Sequence, residues 1–208
     1  MKINNRVGEK HFTNEGYEIQ IVDYINRHTV LIKFVDVPDY LVWVTAQNVS
    51  NGEIKNPFHK SVYGVGYYGC GSYSARVNNI KTPQYIKWFS MFNRCYDVNY
   101  QKDNPRYIGC TVSDEFHNYQ NFAKWYDKKI YPCSYKLELD KDLLVEGNKT
   151  YSPSTCCFLP KELNAALNSK RNDREFMTVL YNKYKSEVPF YIKEKLFKLI
   201  NTPKRSEQ

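Results

Sequence analysis

The chain contains no CxxC pair, although it carries six cysteines. That absence removes the usual zinc-ribbon spacing, so a structural zinc is not expected. A spatial cluster of Cys95, Cys110 and Cys156 stays open as the alternative. There is no Walker loop, no nucleophile elbow and no HExxH helix. No apolar run approaches the roughly 18 residues that span a bilayer, and no membrane partner is expected. The opening MKINNRVGEKHF lacks an apolar h-region, so a cytoplasmic protein with free thiols is expected. Disorder throughout is excluded by what is abundant instead: 19 Tyr and 11 Phe, with 3 Trp. At 208 residues, one large domain or two small ones fit the chain.

Charge is unevenly placed. Residues 1–58 carry 6 basic and 7 acidic groups, whereas 59–168 carry 14 and 10, and 169–208 carry 10 and 5. The whole chain is therefore net +8, with the excess in its middle and tail. Such a balance suits a polyanion, and nucleic acid is the expected partner.

Four segments follow from patterning. Residues 1–58 have β-rich runs at Tyr17–Tyr24, Val30–Val35 and Tyr40–Thr45, punctuated by turn residues, and are expected to form a small SH3-like β-barrel. Residues 59–83, with the glycines of YGVGYYG, read as a connector. From residue 84, Tyr85, Trp88, Phe89, Phe92, Cys95 and Tyr96 make one apolar helical face. A short strand is expected at Cys110–Val112, and a second helix near Asn118–Lys128. Next come a strand in LELDK, a loop at Gly147-Asn148, a strand in TCCFL and a helix from about Lys161. Residues 171–208 read as a helical tail. One helix carries Phe176, Val179, Leu180 and Tyr184 and another carries Ile192, Leu196, Leu199 and Ile200, with a break at Pro189. The fold class is α+β.

The strand–loop–strand–helix unit within residues 84–170 is the layout of a ββα-metal nuclease motif. That chemistry needs a carboxylate at the end of the first strand and a neighbouring base. It also needs a polar residue to orient the base, and a helix residue to complete a divalent metal site. The restriction-type pattern, with a carboxylate two residues before a lysine, fails because Leu139 stands before Lys141.

Individual residues narrow the class further. Trp88, Arg94-Cys95-Tyr96 and the run Pro105 to Val112 resemble the HNH endonuclease-like proteins of bacteriophages. So do Asp114-Glu115-Phe116 and Phe122-Ala123-Lys124-Trp125. The ending Leu139-Asp140-Lys141-Asp142, Gly147-Asn148, Tyr151-Ser152-Pro153, Cys156 and Phe158 is similar to the family's recurring LDxD–GNxxYxPxxCxF. The resemblance implies an HNH-like ββα-metal domain, with Asp140 and Asn164 as ligands of Mg²⁺ or Mn²⁺. It places the family's general-base histidine on Lys141 and its second-strand asparagine on Thr155, so both identities are changed. An unperturbed lysine, with pKa about 10.4, is charged near pH 7 and accepts no proton. Lys141 is therefore expected to help electrostatically. His117 is the other candidate base, with His59 behind it. Lys87, Arg94, Lys161, Lys170 and Arg171 are the expected DNA contacts.

Two functions follow from the resemblance. The first is a metal-dependent DNA endonuclease, nicking or cutting. The alternative is a catalytically degenerate binding protein on the same fold, serving as a phage regulator or as an inhibitor of a host nucleic-acid-targeting defence protein. A pure interaction module built on residues 1–58 is a third expectation, resting only on the charge split.

Overall fold

The computed structural model describes residues 6–167, 169 and 173–201. The chain divides into two compact units, one ending at His59 and one beginning at Lys60.

In the first unit, strands β1 (Lys10–Phe12), β2 (Glu18–Asn26), β3 (Thr29–Phe34) and β4 (Leu41–Val44) form an antiparallel sheet in the order β1-β2-β3-β4. Alternation in β2 and β3 puts Ile19, Ile21, Val30, Ile32 and Phe34 on one face, where they bury together with Val49 and Ile54. The expected barrel is not closed. Among the described residues β1 pairs only with β2 and β4 only with β3, so the sheet keeps two edges. The chain after β4 also turns helical instead of adding a strand, forming α1 (Ala46–Asn51). The Thr45 hydroxyl accepts from the Asn48 N–H at 3.1 Å and starts this helix. Gly52 ends it at φ +68°, where a Cβ would also lie 2.8 Å from the Asn14 side chain.

In the second unit, a minimal hairpin of β5 (Arg76–Val77) and β6 (Ile80–Lys81) leads to α2 (Pro83–Tyr96). Thr82 caps that helix and Pro83 fits its first turn. Then follow α3 (Val98–Asp103), a 3₁₀ turn at Pro105–Tyr107, β7 (Thr111–Val112), α4 (Asp114–His117) and α5 (Tyr119–Lys129). Next come β8 (Leu137–Asp140), β9 (Thr150–Tyr151), β10 (Cys157–Pro160) and α6 (Lys161–Leu167). Two further helices close the order, α7 (Arg174–Tyr184) and α8 (Phe190–Asn201). β8 and β10 form an antiparallel hairpin, and β7 pairs with β9 in parallel.

The β8–β10 hairpin lies between two apolar cores, which is why all of β10 is buried. Leu139 and Phe158 face the core that holds Trp88, Phe92, Phe116, Phe122 and Trp125. Cys157 and Leu159 face the other, with Leu163, Met177, Leu180, Tyr184, Ile192, Leu196 and Ile200. The helices expected as a tail are thus half of a core. Their inward residues differ in part from the expected set: Met177 is buried, while Phe176, Val179 and Leu199 are exposed.

The glycine- and tyrosine-rich stretch is packed and does not behave as a plain connector. Val62 is buried, and Tyr63, Val65, Tyr73 and Ala75 pack on the aromatic core. A Cβ on Gly66 would come within 2.8 Å of the Phe92 ring, so glycine lets the backbone cross that ring. Trp88 and Tyr131 place their polar atoms on backbone carbonyls within the aromatic core. Trp88 Nε1 donates to the Phe116 carbonyl at 2.7 Å, and Tyr131 donates to the Phe158 carbonyl at 2.8 Å.

Candidate functional site

At the loop end of the β8–β10 hairpin, where Asp140 pairs with Cys157, is a cleft of about 310 Å³. Asp140, Asp142 and Asn164 line it, together with Lys141, Arg94, Arg106 and Lys149. Each comes from a different local cause. Asp140 ends β8 because its Oδ1 accepts the backbone N–H of Asp142 at 3.0 Å and of Leu143 at 2.7 Å. This turn stops the strand and fixes the carboxylate. Asn164 comes from the first turn of α6, which follows β10 without a loop. Arg94 comes from the last turn of α2, and Arg106 from the 3₁₀ turn. Lys149 directly precedes β9, and pairing of β9 with β7 brings it to Arg106: its Nζ donates to the Arg106 carbonyl at 3.1 Å.

Asp140 is only 4% exposed, and Lys141 6%. Burial pushes the Asp140 carboxyl above the usual range, helped by the neighbouring charge of Asp142. The two backbone hydrogen bonds and Lys141 work against that shift. Lys141 donates to Asp142 Oδ1 at 2.5 Å and to the Asn148 carbonyl at 3.0 Å, and its ammonium lies 5.8 Å from the centre of the Tyr151 ring.

Asn148 organises the loop. Its Nδ2 donates to the Lys141 carbonyl at 2.8 Å and to the Thr150 carbonyl at 2.7 Å, and its Oδ1 accepts from the Thr150 N–H at 3.1 Å. The sequence marks Asn148 as a turn residue but gives no sign that it positions Lys141. Thr155, expected from the resemblance at an orienting position, donates to the Thr150 carbonyl at 2.8 Å and shares a hydrogen bond with Ser152.

The expected residues therefore separate. Asp140, Lys141, Asn164 and Arg94 share the cleft. His117 does not line it: its Nε2 bonds the Val112 carbonyl at 2.9 Å, and its Nδ1 lies 3.3 Å from Asp114. His59 shares a hydrogen bond with the Tyr17 hydroxyl in the first unit. Lys87 is committed to Glu138 at 2.5 Å, where both side chains are largely buried. Lys161 lines another depression, with Lys136, Glu162 and Lys183. Lys170 and Arg171 lie outside the described residues. Arg106 and Lys149 are cleft cations that sequence reading missed. They lie 43 residues apart with no periodic signal between them.

The donor set suits a hard divalent cation. Asp140 offers carboxylate oxygen and Asn164 amide oxygen, and Mg²⁺ commonly rests on one or two carboxylates plus water and substrate phosphate. Among the described residues, no group of three or more His, Cys, Asp or Glu side chains converges. All six cysteines are free thiols. Burial pushes those of Cys95 and Cys156 up to about 12. Among the described residues, no helix is long and apolar enough to cross a membrane. Neither a family model, nor a curated protein, nor a solved structure matches this chain.

Proposed function

We propose that the second unit binds duplex DNA at the Asp140–Asn164 cleft and cleaves its phosphodiester backbone with Mg²⁺ or Mn²⁺. The supporting observation is one cleft in which the oxygen-donor side chains of Asp140, Asp142 and Asn164 lie among four cationic ones, Arg94, Arg106, Lys141 and Lys149. Asp140 and Asn164 would hold the ion. When bound, it supplies positive charge where the phosphate and the leaving oxygen become more negative. The strand–loop–strand–helix order of β8, β10 and α6 agrees with the HNH-like reading of the sequence.

The chain's own groups have distinct roles. Asp140 is held in one orientation by its two backbone hydrogen bonds, so little ordering is left for the moment of reaction. Lys141 contributes positive charge beside the cleft's carboxylates. Its bonds to Asp142 and Asn148 keep that charge in place. The arginines draw in the polyanion and fix its register.

A second reading has its own support. Among the described residues no histidine lines the cleft, and Lys141 stands where the family's base would be. The same cleft then serves a DNA-binding protein without cleavage, a phage regulator or an inhibitor of a host defence protein.

Supercoiled plasmid separates the readings. Incubation with Mg²⁺, Mn²⁺ or EDTA is run beside the Asp140→Ala and Asn164→Ala double variant. Metal-dependent nicking that the variant lacks upholds the enzyme. An intact plasmid with a retained gel shift upholds the binding protein.

A further inference from the structure

We infer that Arg94, Arg106 and Lys149 form a phosphate-binding subsite at the rim of the cleft, one that grips the nucleic-acid backbone without any metal ion. Its position beside a scissile bond rests on the cleavage reading; the phosphate recognition does not.

Three observations converge. First, the two guanidiniums share one ring: the Arg94 Cζ lies 5.6 Å and the Arg106 Cζ 4.9 Å from the centre of Tyr107. The ring restrains both arginines through cation–π attraction. Second, Lys149 is tied to the same turn through the Arg106 carbonyl, so a third cation stands at the rim. Bringing three like charges together is unfavourable unless an anion is shared among them. Among the described residues none of the three makes a salt bridge. The nearby carboxylates are otherwise engaged: Asp142 with Lys141, and Asp140 with the backbone of its own turn. Third, the Arg94 Nε–H is buried with no hydrogen-bond partner among the described residues. A desolvated donor of this kind on a guanidinium that also bonds Tyr151 is costly, and an anion beside the guanidinium would offset that cost electrostatically.

The chemistry selects the ligand. Two planar guanidinium forks and a point-charge ammonium match the non-bridging oxygens of a phosphate better than a lone carboxylate does. In a strand of DNA that group is a backbone phosphodiester. The same atoms would also take a free phosphate.

The experiment keeps metal out. Full-length protein in EDTA is titrated with a short labelled duplex over a range of salt, read by anisotropy, with circular dichroism to check folding. Arg106 and Lys149 are exposed, so Arg106→Gln with Lys149→Gln should fold normally. Each phosphate that the protein no longer neutralises lowers the slope of log K against log salt by roughly 0.9. The double variant is expected to lower it by between one and two such steps, and to bind at least tenfold more weakly at low salt. Arg94→Lys keeps the charge but loses the fork, and is expected to weaken binding severalfold with the slope unchanged.

Inorganic phosphate, added as competitor at constant ionic strength, distinguishes the ligand sources. Displacement no better than by chloride assigns the subsite to the polymer backbone. Displacement at millimolar phosphate, lost in the double variant, assigns the same atoms to small phosphates and overturns the backbone assignment. A folded double variant with wild-type affinity and slope overturns the subsite itself. Wild-type protein that binds with the expected slope but never cuts DNA removes the cleavage reading and leaves the subsite standing.

Discussion

Leu139 and Asp140 are consecutive residues of one strand and equally buried, 3% and 4% exposed. Their reasons for burial are opposite. Leu139 enters the aromatic core beside Phe158, where burial is itself the driving force. Asp140 gains nothing from leaving water. It is held by two backbone N–H groups, and its carboxyl is pushed up by burial. One region of the hairpin is therefore explained by packing alone. The other needs a further reason for its charges, and binding a cation and a phosphate is one that fits them. Buried charge without a packing benefit is where a protein commonly gives up stability for function.

The contrast can be broken at several points. Phe158→Ala empties the position against the Trp125 and Tyr126 rings, and should cost about 3–5 kcal/mol by chemical denaturation. A loss below about 1 kcal/mol would mean that the hairpin is not the keystone of the core.

Lys87→Met should cost up to about 3 kcal/mol, because it leaves the largely buried Glu138 carboxylate with only the exposed Lys136, 3.5 Å away. Burial raises the Glu138 carboxyl, but the Lys87 pair outweighs this and holds it below the usual range. A depressed carboxyl stabilises the fold above its unfolded value of 4.5, and the gain is lost as pH falls through the lower folded value. Wild-type stability should thus drop below about pH 4.5, with a smaller drop in the variant. Denaturation at pH 7, 5 and 3 measures both.

Asn148→Ala should cost about 1–2 kcal/mol by leaving the Lys141 carbonyl without its side-chain donor and the Thr150 carbonyl with Thr155 alone. If the cleft works as described, this variant should lose more activity than stability. The smallest expected stability change is at Asp140 itself. Asp140→Asn keeps an oxygen for the two backbone N–H groups and removes a buried charge, so its melting temperature should be equal to or above that of wild type.

The sequence shows some of this plainly. Alternation and turn residues mark β2, β3, β8 and β10, and the aromatic stripe marks α2, because each signal is local. Asp140 and Asn164 were legible through the family-like spacing. That the sheet stays open was not, because edge pairing depends on partners far along the chain, and the Thr45 and Gly52 caps turn the chain helical after the last strand. The packed role of Gly66 was invisible, since glycine reads as a loop whether or not a ring crosses it. Arg106 and Lys149 escaped notice because only the parallel β7–β9 pairing brings them together. Lys87, expected to face phosphate, instead neutralises a strand glutamate that lies 51 positions away.

The most direct test of the central claim is the rate of supercoiled-plasmid nicking by wild type and Asp140→Asn in Mn²⁺ and in EDTA, with melting curves for both. Wild type is predicted to nick in Mn²⁺ alone, and the variant to nick at least about 100-fold more slowly while melting no earlier. A wild type that never nicks in any divalent ion would contradict the claim, as would an Asp140→Asn protein that nicks at the wild-type rate.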